Sequence, residues 1–200
     1  MANLPLKLIT QLYYKDKLNS IEIAKRFEVT PDIVLRFMKK MNLPRRTLVE
    51  TNKILFERKP KSFSSKQSLS RQEEKLKIAG IMLYWAEGCK FSSPIVDFAN
   101  SNPQMIKLFL EFLREICGIQ EKRLRVLLYC YANQDVEALK KYWQKLTNIS
   151  LAQFTKPYIR KDFLPEKSGK MKYGLVHIRY VDKKLLTQIE DWVKEYLKKE

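Results

Sequence analysis

Glu87 is the residue whose setting most suggests bond-making chemistry. It closes an almost wholly apolar run, IAGIMLYWAE, and Gly88 follows it. A carboxylate in the last turn of a helix meets the negative end of the helix dipole, so a cation should compensate it. A divalent metal ion or a lysine would serve, and Lys90 stands beside it. A buried core helix explains the apolar run equally well, but not the carboxylate at its end. The second chemistry is phosphate binding. Arg123 and Arg125 alternate with Leu124 and Val126, and His177 and Arg179 alternate with Val176 and Ile178. Lys156, Tyr158 and Arg160 share one parity. Alternation in a strand puts such residues on one face, where a set of basic strands could track a phosphate backbone. Ordinary half-buried sheets alternate too, and it is the joint basicity that favours the first reading. His177 is the only histidine. With no serine or cysteine nucleophile pattern around it, it is expected to be a contact or structural residue, not a base.

The charge supports polyanion binding. Lys and Arg outnumber Asp and Glu by 39 to 22, a net charge of +17 spread along the 200 residues. A field of that sign favours nucleic acid or an acidic membrane surface, although high lysine content also serves solubility. The membrane alternative is the weaker, because no uncharged run approaches the roughly 20 residues of a spanning helix. The N-terminal MANLPLKLITQLYYKDK lacks the apolar core of a signal peptide, so a cytoplasmic location is expected. Cys89, Cys117 and Cys130 form no CxxC pair, which indicates reduced core thiols and neither a zinc site nor a disulfide framework. Hydrophobic residues make up 45% of the chain, enough for a real core.

The elements that must position these residues fall into three regions. In the first, 1–47, Leu6, Ile9, Leu12 and Tyr13 predict a helix ending near Lys17. Ser20 is expected to cap a second helix, SIEIAKRF, with Ile21, Ala24 and Phe27 on one face. Thr30 and Pro31 predict the start of a third, PDIVLRFMKKM, its threonine oxygen accepting free N–H groups. Val34, Phe37 and Met41, or their neighbours, would be buried. Residues 48–74, rich in serine and lysine around Pro60, predict a basic linker. Over 75–200 the pattern predicts an apolar helix to Gly88, then two short strands bent at Pro94. A helix opened by Asn102-Pro103 and stopped by Gly118 follows, then the strand RLRVLLYCY, the helix VEALKKYWQKL and the strands KPYIRK and GLVHIRYV. A helix, KKLLTQIEDWVKEYLKK, closes the chain.

IAKRFEVTPDIVLRFMKK has the plan of a helix-turn-helix, in which the second helix enters a major groove while the first crosses the backbone. Ala24 is small where the helices meet, Val29 plugs the turn, and Ile33 and Val34 pack the second helix underneath. Residues 5–47, including the NLPRRT tail, resemble the helix-turn-helix of resolvase-like and homing-endonuclease-associated domains. That places Thr30, Pro31, Asp32 and Arg36 toward the groove, and Lys39, Lys40, Arg45 and Arg46 within reach of phosphates. Glu28 stands where such turns often carry glycine, so a distorted turn is expected. A basic three-helix packing module is the plainer alternative.

IAGIMLYWAEGCK resembles a degenerate LAGLIDADG motif, with Ala86-Glu87-Gly88 on the family's terminal small-acidic-glycine triplet. The family's central glycine falls on Met82, and Trp85 replaces a common acidic or small position. Across 76–198 the order of elements is also similar to that fold. The resemblance implies an α+β protein: a three-helix helix-turn-helix domain, then a LAGLIDADG-like αββαββα domain with one extra helix near 136–146. It further implies that Glu87 is the catalytic and metal-binding residue, holding Mg2+ in oxygen ligation; the family's auxiliary lysine and glutamine have no motif in this sequence, and Lys90, beside Glu87, is a candidate DNA contact. One signature helix implies a homodimer packed through Ala79, Met82 and Ala86. The expected function is sequence-specific binding of double-stranded DNA with metal-dependent phosphodiester cleavage of the homing-endonuclease kind. A regulator that kept the fold without the chemistry is the rival, and an RNA-binding or scaffold module is a third reading.

Overall fold

Capping residues set most of the helix starts in this chain. The computed structural model describes residues 4–89, 94–161 and 171–198. These form eight α-helices and a four-stranded mixed sheet, an α+β architecture. The chain divides into two units, Met1–Pro60 and Lys61–Glu200.

In the first unit α1 (Leu6–Thr10) runs on as a π-helical turn, Gln11–Lys15. It is followed by α2 (Ser20–Arg26), α3 (Pro31–Lys40) and α4 (Leu48–Arg58). The cap of α2 is Asn19 and not Ser20. Asn19 Oδ1 accepts the Glu22 N–H at 2.8 Å, and the Glu22 carboxylate accepts the Asn19 N–H at 2.7 Å. Only Asn19 has a glutamate three residues on to complete this reciprocal pair. The helix buries Ile23 and, as expected, Ala24, with Phe27 packed alongside, while Ile21 stays exposed. In α3, Val34 and Met38 are buried, Ile33 and Phe37 pack against the same core, and Met41 is exposed. Thr30 takes the cap position, but its hydroxyl makes no capping hydrogen bond. Glu28 adopts φ +54° and lets the turn close, so the left-handed strain of roughly 1 kcal/mol is carried in place, without distorting the motif.

The stretch 48–74 is not a linker over its length. Thr47 and Glu50 form a capping box that starts α4, a signal in the order of residues that bulk composition hides. Arg58, at the far end of α4, pairs with Glu22 at 3.2 Å and donates to the Asp16 carbonyl, holding α4 to its own unit. From Lys61 the chain already belongs to the second unit. Ser62 donates to Asp182 and its carbonyl accepts the Tyr180 hydroxyl, and Phe63 bridges Ile119.

The second unit comprises α5 (Arg71–Glu87), β1 (Ile95–Asn100), α6 (Pro103–Glu111, extended by a π-helical turn, Phe112–Ile116) and β2 (Leu124–Tyr131). Then come α7 (Val136–Thr147), β3 (Tyr158–Arg160), β4 (Leu175–Val181) and α8 (Lys183–Leu197). The strand order is β1-β4-β2-β3, with β2 and β3 parallel and the other pairs antiparallel. A parallel pair needs a long crossover, so α7, expected as an addition to the fold, is part of the β2–β3 connection. Of the two strands expected around Pro94, β1 is present, and residues 90–93 lie outside the described residues. α5 starts at Arg71, four residues before the predicted domain start, because Ser70 and Glu73 form another capping box.

Helices cover one face of this sheet. Val96, Phe98, Leu124, Val126, Leu128, Val176, Ile178 and Tyr180 point into a core shared with Tyr84, Phe109, Phe112, Leu185 and Ile189. Cys117 and Cys130 are buried free thiols there, and Cys89 is half-buried. The opposite parity of each strand forms a second, open face.

Candidate nucleic-acid interface

Three places carry the residues singled out by sequence: the outer side of α3, the open face of the sheet, and the C-terminal end of α5. The first belongs to one unit and the other two to the second.

On α3, Asp32, Arg36 and Lys39 follow one another at helical spacing, and all are exposed, as is Lys40. With Leu35, Asn42, Leu43, Pro44 and Arg45 they line an open groove of about 750 Å³. The tail after α3 is fixed in place: the Leu43 N–H donates to the Met38 carbonyl, and the Tyr14 hydroxyl donates to the Pro44 carbonyl at 2.7 Å. Arg45 is thereby held at the groove wall. Arg46, expected to reach phosphate, does not face it. Its guanidinium donates to the carbonyls of Lys17 and Leu18 and stacks 4.1 Å from the Tyr13 ring centre. Those carbonyls lie in the turn between the π-helical extension of α1 and α2 and need donors, so Arg46 ties the tail to that turn instead. Pro31 is half-buried at the first turn, and Thr30 is exposed.

The sheet register decides which strand residues meet. Asp97 on β1 lies opposite Arg179 on β4, which lies opposite Arg125 on β2. Asp97 is only 8% exposed. His177 Nδ1 lies 2.8 Å from its Oδ1, and Arg179 Nε donates to its Oδ2 at 2.8 Å. Burial alone would raise the Asp97 pKa; the His177 hydrogen bond and the charges of His177 and Arg179 outweigh it and hold the carboxyl below its usual range. His177 and Arg179, expected as DNA contacts, thus spend part of their donor capacity on Asp97. Sequence reasoning missed this carboxylate. The signal for it was a lone acid among the apolar residues IVDFA, since a buried charge needs partners.

Arg125 is exposed, and its guanidinium donates to the Lys122 and Leu124 carbonyls. Arg123 is not on the open face. It lies in a 3-10 turn before β2, donates to the Val181 carbonyl at 2.6 Å, and sits 5.6 Å from the ring centre of Tyr180, a core residue. Alternation assigned it wrongly because the strand begins one residue later, at Leu124. Lys156 is exposed before β3, and the Arg160 guanidinium lies 5.7 Å from the Tyr131 ring centre. Tyr129, which sequence reasoning also missed, packs at a tilt between His177 and Tyr158 with ring centres 4.7 and 4.8 Å away.

The end of α5 is stitched to the edge of the sheet. Gly88 bridges Phe98, and the Cys89 N–H donates to the Asp97 carbonyl at 2.9 Å. A Cβ on Gly88 would overlap the Tyr84 carbonyl oxygen and stand 2.7 Å from the Tyr84 ring, so close approach, and not an unusual φ, requires glycine there. Glu87 therefore sits at the β1 edge. It is exposed and has no ion-pair partner among the described residues. Lys90 lies outside the described residues. Of the residues assigned to a dimer contact, Ala86 is exposed, while Ala79 and Met82 are half-buried, with Met82 packed against the core. Ile78 and Trp85, 40% and 48% exposed, continue the same helix face.

Magnesium takes six oxygen ligands in near-octahedral geometry. Among the described residues no group of three or more His, Cys, Asp or Glu side chains gathers to hold a metal. Glu87 alone supplies one carboxylate, so one copy of the chain does not fit the ion at this position. No helix among the described residues is long and apolar enough to cross a membrane. Comparisons with family models, curated proteins and solved structures returned no match.

Proposed function

We propose that this chain binds double-stranded DNA in a sequence-specific way, with α3 as the reading helix. The observation that carries this reading is the basic groove along α3, where Arg36 and Lys39 project beside Asp32 from the helix and Arg45 from the tail that follows it. A ten-residue helix is about 15 Å long, and a B-form major groove about 12 Å wide admits it. Arg36 suits the acceptors of guanine, Asp32 the amine of cytosine, and Lys39, Lys40 and Arg45 the phosphates. Thr30, with its hydroxyl uncommitted to capping, is placed for a phosphate at the helix start. Arg125 and Lys156 on the open sheet face, in a chain of net charge +17, add backbone contacts. A cytoplasmic location is part of this proposal.

Selection from a random duplex library, followed by anisotropy titration at several salt concentrations, tests this. The double variant Arg36→Ala/Lys39→Ala should bind the selected site roughly 10- to 100-fold more weakly, with a salt slope smaller by about 1. Unchanged affinity, or equal competition by RNA at matched salt, would sink the proposal, because A-form major grooves do not admit a helix.

A second reading adds cleavage by a homodimer of the LAGLIDADG kind. The observation that favours it is the exposed apolar stripe of α5 ending at Glu87, a face suited to a second copy. Two Glu87 carboxylates side by side would then hold Mg2+, which when bound would stabilise charge on the phosphodiester oxygens. Under this reading, site-specific cuts with magnesium disappear in Glu87→Gln while binding persists. Tight binding without cuts at any magnesium concentration leaves a non-catalytic regulator.

A further inference from the structure

The open face of the sheet carries more aromatic surface than phosphate tracking requires. Across three strands run His177, Tyr129 and Tyr158, with ring centres 4.7 and 4.8 Å apart and ring planes inclined by 33° and 40°. One end of this row is anchored, because Asp97 holds the imidazole of His177. The other end is open: Tyr158 is 55% exposed and has no ring neighbour but Tyr129 among the described residues. A large side chain so exposed on a short edge strand gains little from folding. Positive charge lies close by, with Lys156 two residues before Tyr158 and Arg160 two residues after it.

We propose that this row is a stacking platform for an unpaired nucleobase, so that the sheet takes DNA whose strands are locally opened. The exposed π-face of Tyr158 accepts any base face to face, and the flanking basic residues meet the phosphates on either side. Paired bases cannot reach it, since each face is already covered by its neighbours in the duplex. The inference rests on the DNA-binding reading above and divides the work between the two units. α3 reads the closed duplex, and the sheet holds a base that has left it. The row's anchored end explains its cost in buried polar groups. Asp97 fixes the His177 ring, which limits the rotation of Tyr129 and in turn of Tyr158.

The test is anisotropy titration of the full chain against a fully paired duplex and the same duplex with a short central mismatched run, at one salt concentration. The wild type should bind the opened duplex about tenfold more tightly. Tyr158→Ala should remove that preference and leave affinity for the closed duplex unchanged, while Tyr158→Phe should retain it, since the π-face and not the hydroxyl is used. Arg125→Ala should weaken both ligands equally. Equal wild-type binding of the two duplexes, or an equal loss on both in Tyr158→Ala, overturns the platform while DNA binding stands. Tighter binding of single-stranded RNA of the same sequence overturns the assignment to DNA. Binding of no nucleic acid overturns both readings.

Discussion

Asp97→Ala is expected to destabilise the 61–200 unit by about 3 kcal/mol, the cost of leaving buried charge without its partner. For a unit of this size that lowers Tm by roughly 6–12 °C, measurable by circular dichroism or calorimetry. The carboxylate is nearly buried and holds both His177 and Arg179 at 2.8 Å, so its removal leaves two donors facing a void. Arg179 is 31% exposed at its side chain, which lets water take over part of its loss and keeps the figure near the lower end of the range. Asp97→Asn should cost less, because the amide oxygen still accepts one of the two bonds. The pH dependence has a definite sign. Because the folded pKa is depressed, the unfolded chain binds the proton first on acidification, and stability falls as pH drops. The Asp97 contribution is complete above the ordinary aspartate value of about 4 and disappears as pH falls through the lower folded value. Wild type should therefore lose its stability advantage over Asp97→Ala below about pH 4. An advantage that instead grew on acidification would contradict the depressed pKa.

Gly80→Ala should also destabilise, although alanine is the better helix former. Two effects oppose each other. Alanine gains about 1 kcal/mol of helix propensity over glycine. Against that, a Cβ at this position would overlap Phe112 Cγ and stand 2.6 Å from Phe112 Cβ. Phe112 is fully buried in the core against Phe109 and Trp192, so it cannot swing away, and overpacking of this kind costs up to about 3 kcal/mol. The net expectation is a loss of about 2 kcal/mol. Coupling identifies the cause: Gly80→Ala should be less harmful in a Phe112→Leu background, where the missing ring atoms leave room for the methyl group. Additive losses in the double variant would mean that the contact is not what makes Gly80 necessary. Gly80 lies on the buried side of α5, toward α6 and its π-helical extension, so its small size serves the core of one chain and not a contact between two.

These two sites mark the border between what local order conveys and what needs the fold. The helices were legible because their signals lie within a few residues: Thr30-Pro31 before α3, Asn102-Pro103 before α6, and apolar positions at helical spacing in α8. Where composition was averaged over a longer window it misled, and the capping boxes at Thr47 and Ser70 turned most of the expected linker into helix. On α2 the expected Ala24 and Phe27 do face the core, but Ile23 and not Ile21 completes that face.

The basic residues of α3 were predictable as a set because a single helix presents them. Arg46 was not, because its partners, Tyr13 and the Lys17 and Leu18 carbonyls, lie about 30 residues away and are found only when the tail folds back. The same holds on the sheet. Alternation shows which residues share a face but not which strand lies next to which, so it placed His177 and Arg179 correctly in parity and left out their carboxylate partner on β1. Only the β1-β4-β2-β3 order brings Asp97, 80 residues away in sequence, to His177. Glu87 shows the same division. Its place at the end of a helix follows from the apolar run and Gly88. Its position at the β1 edge follows from the bridge between Gly88 and Phe98. Helical periodicity is local and needs no partner, whereas the charge balance of a side chain depends on neighbours that only tertiary packing supplies.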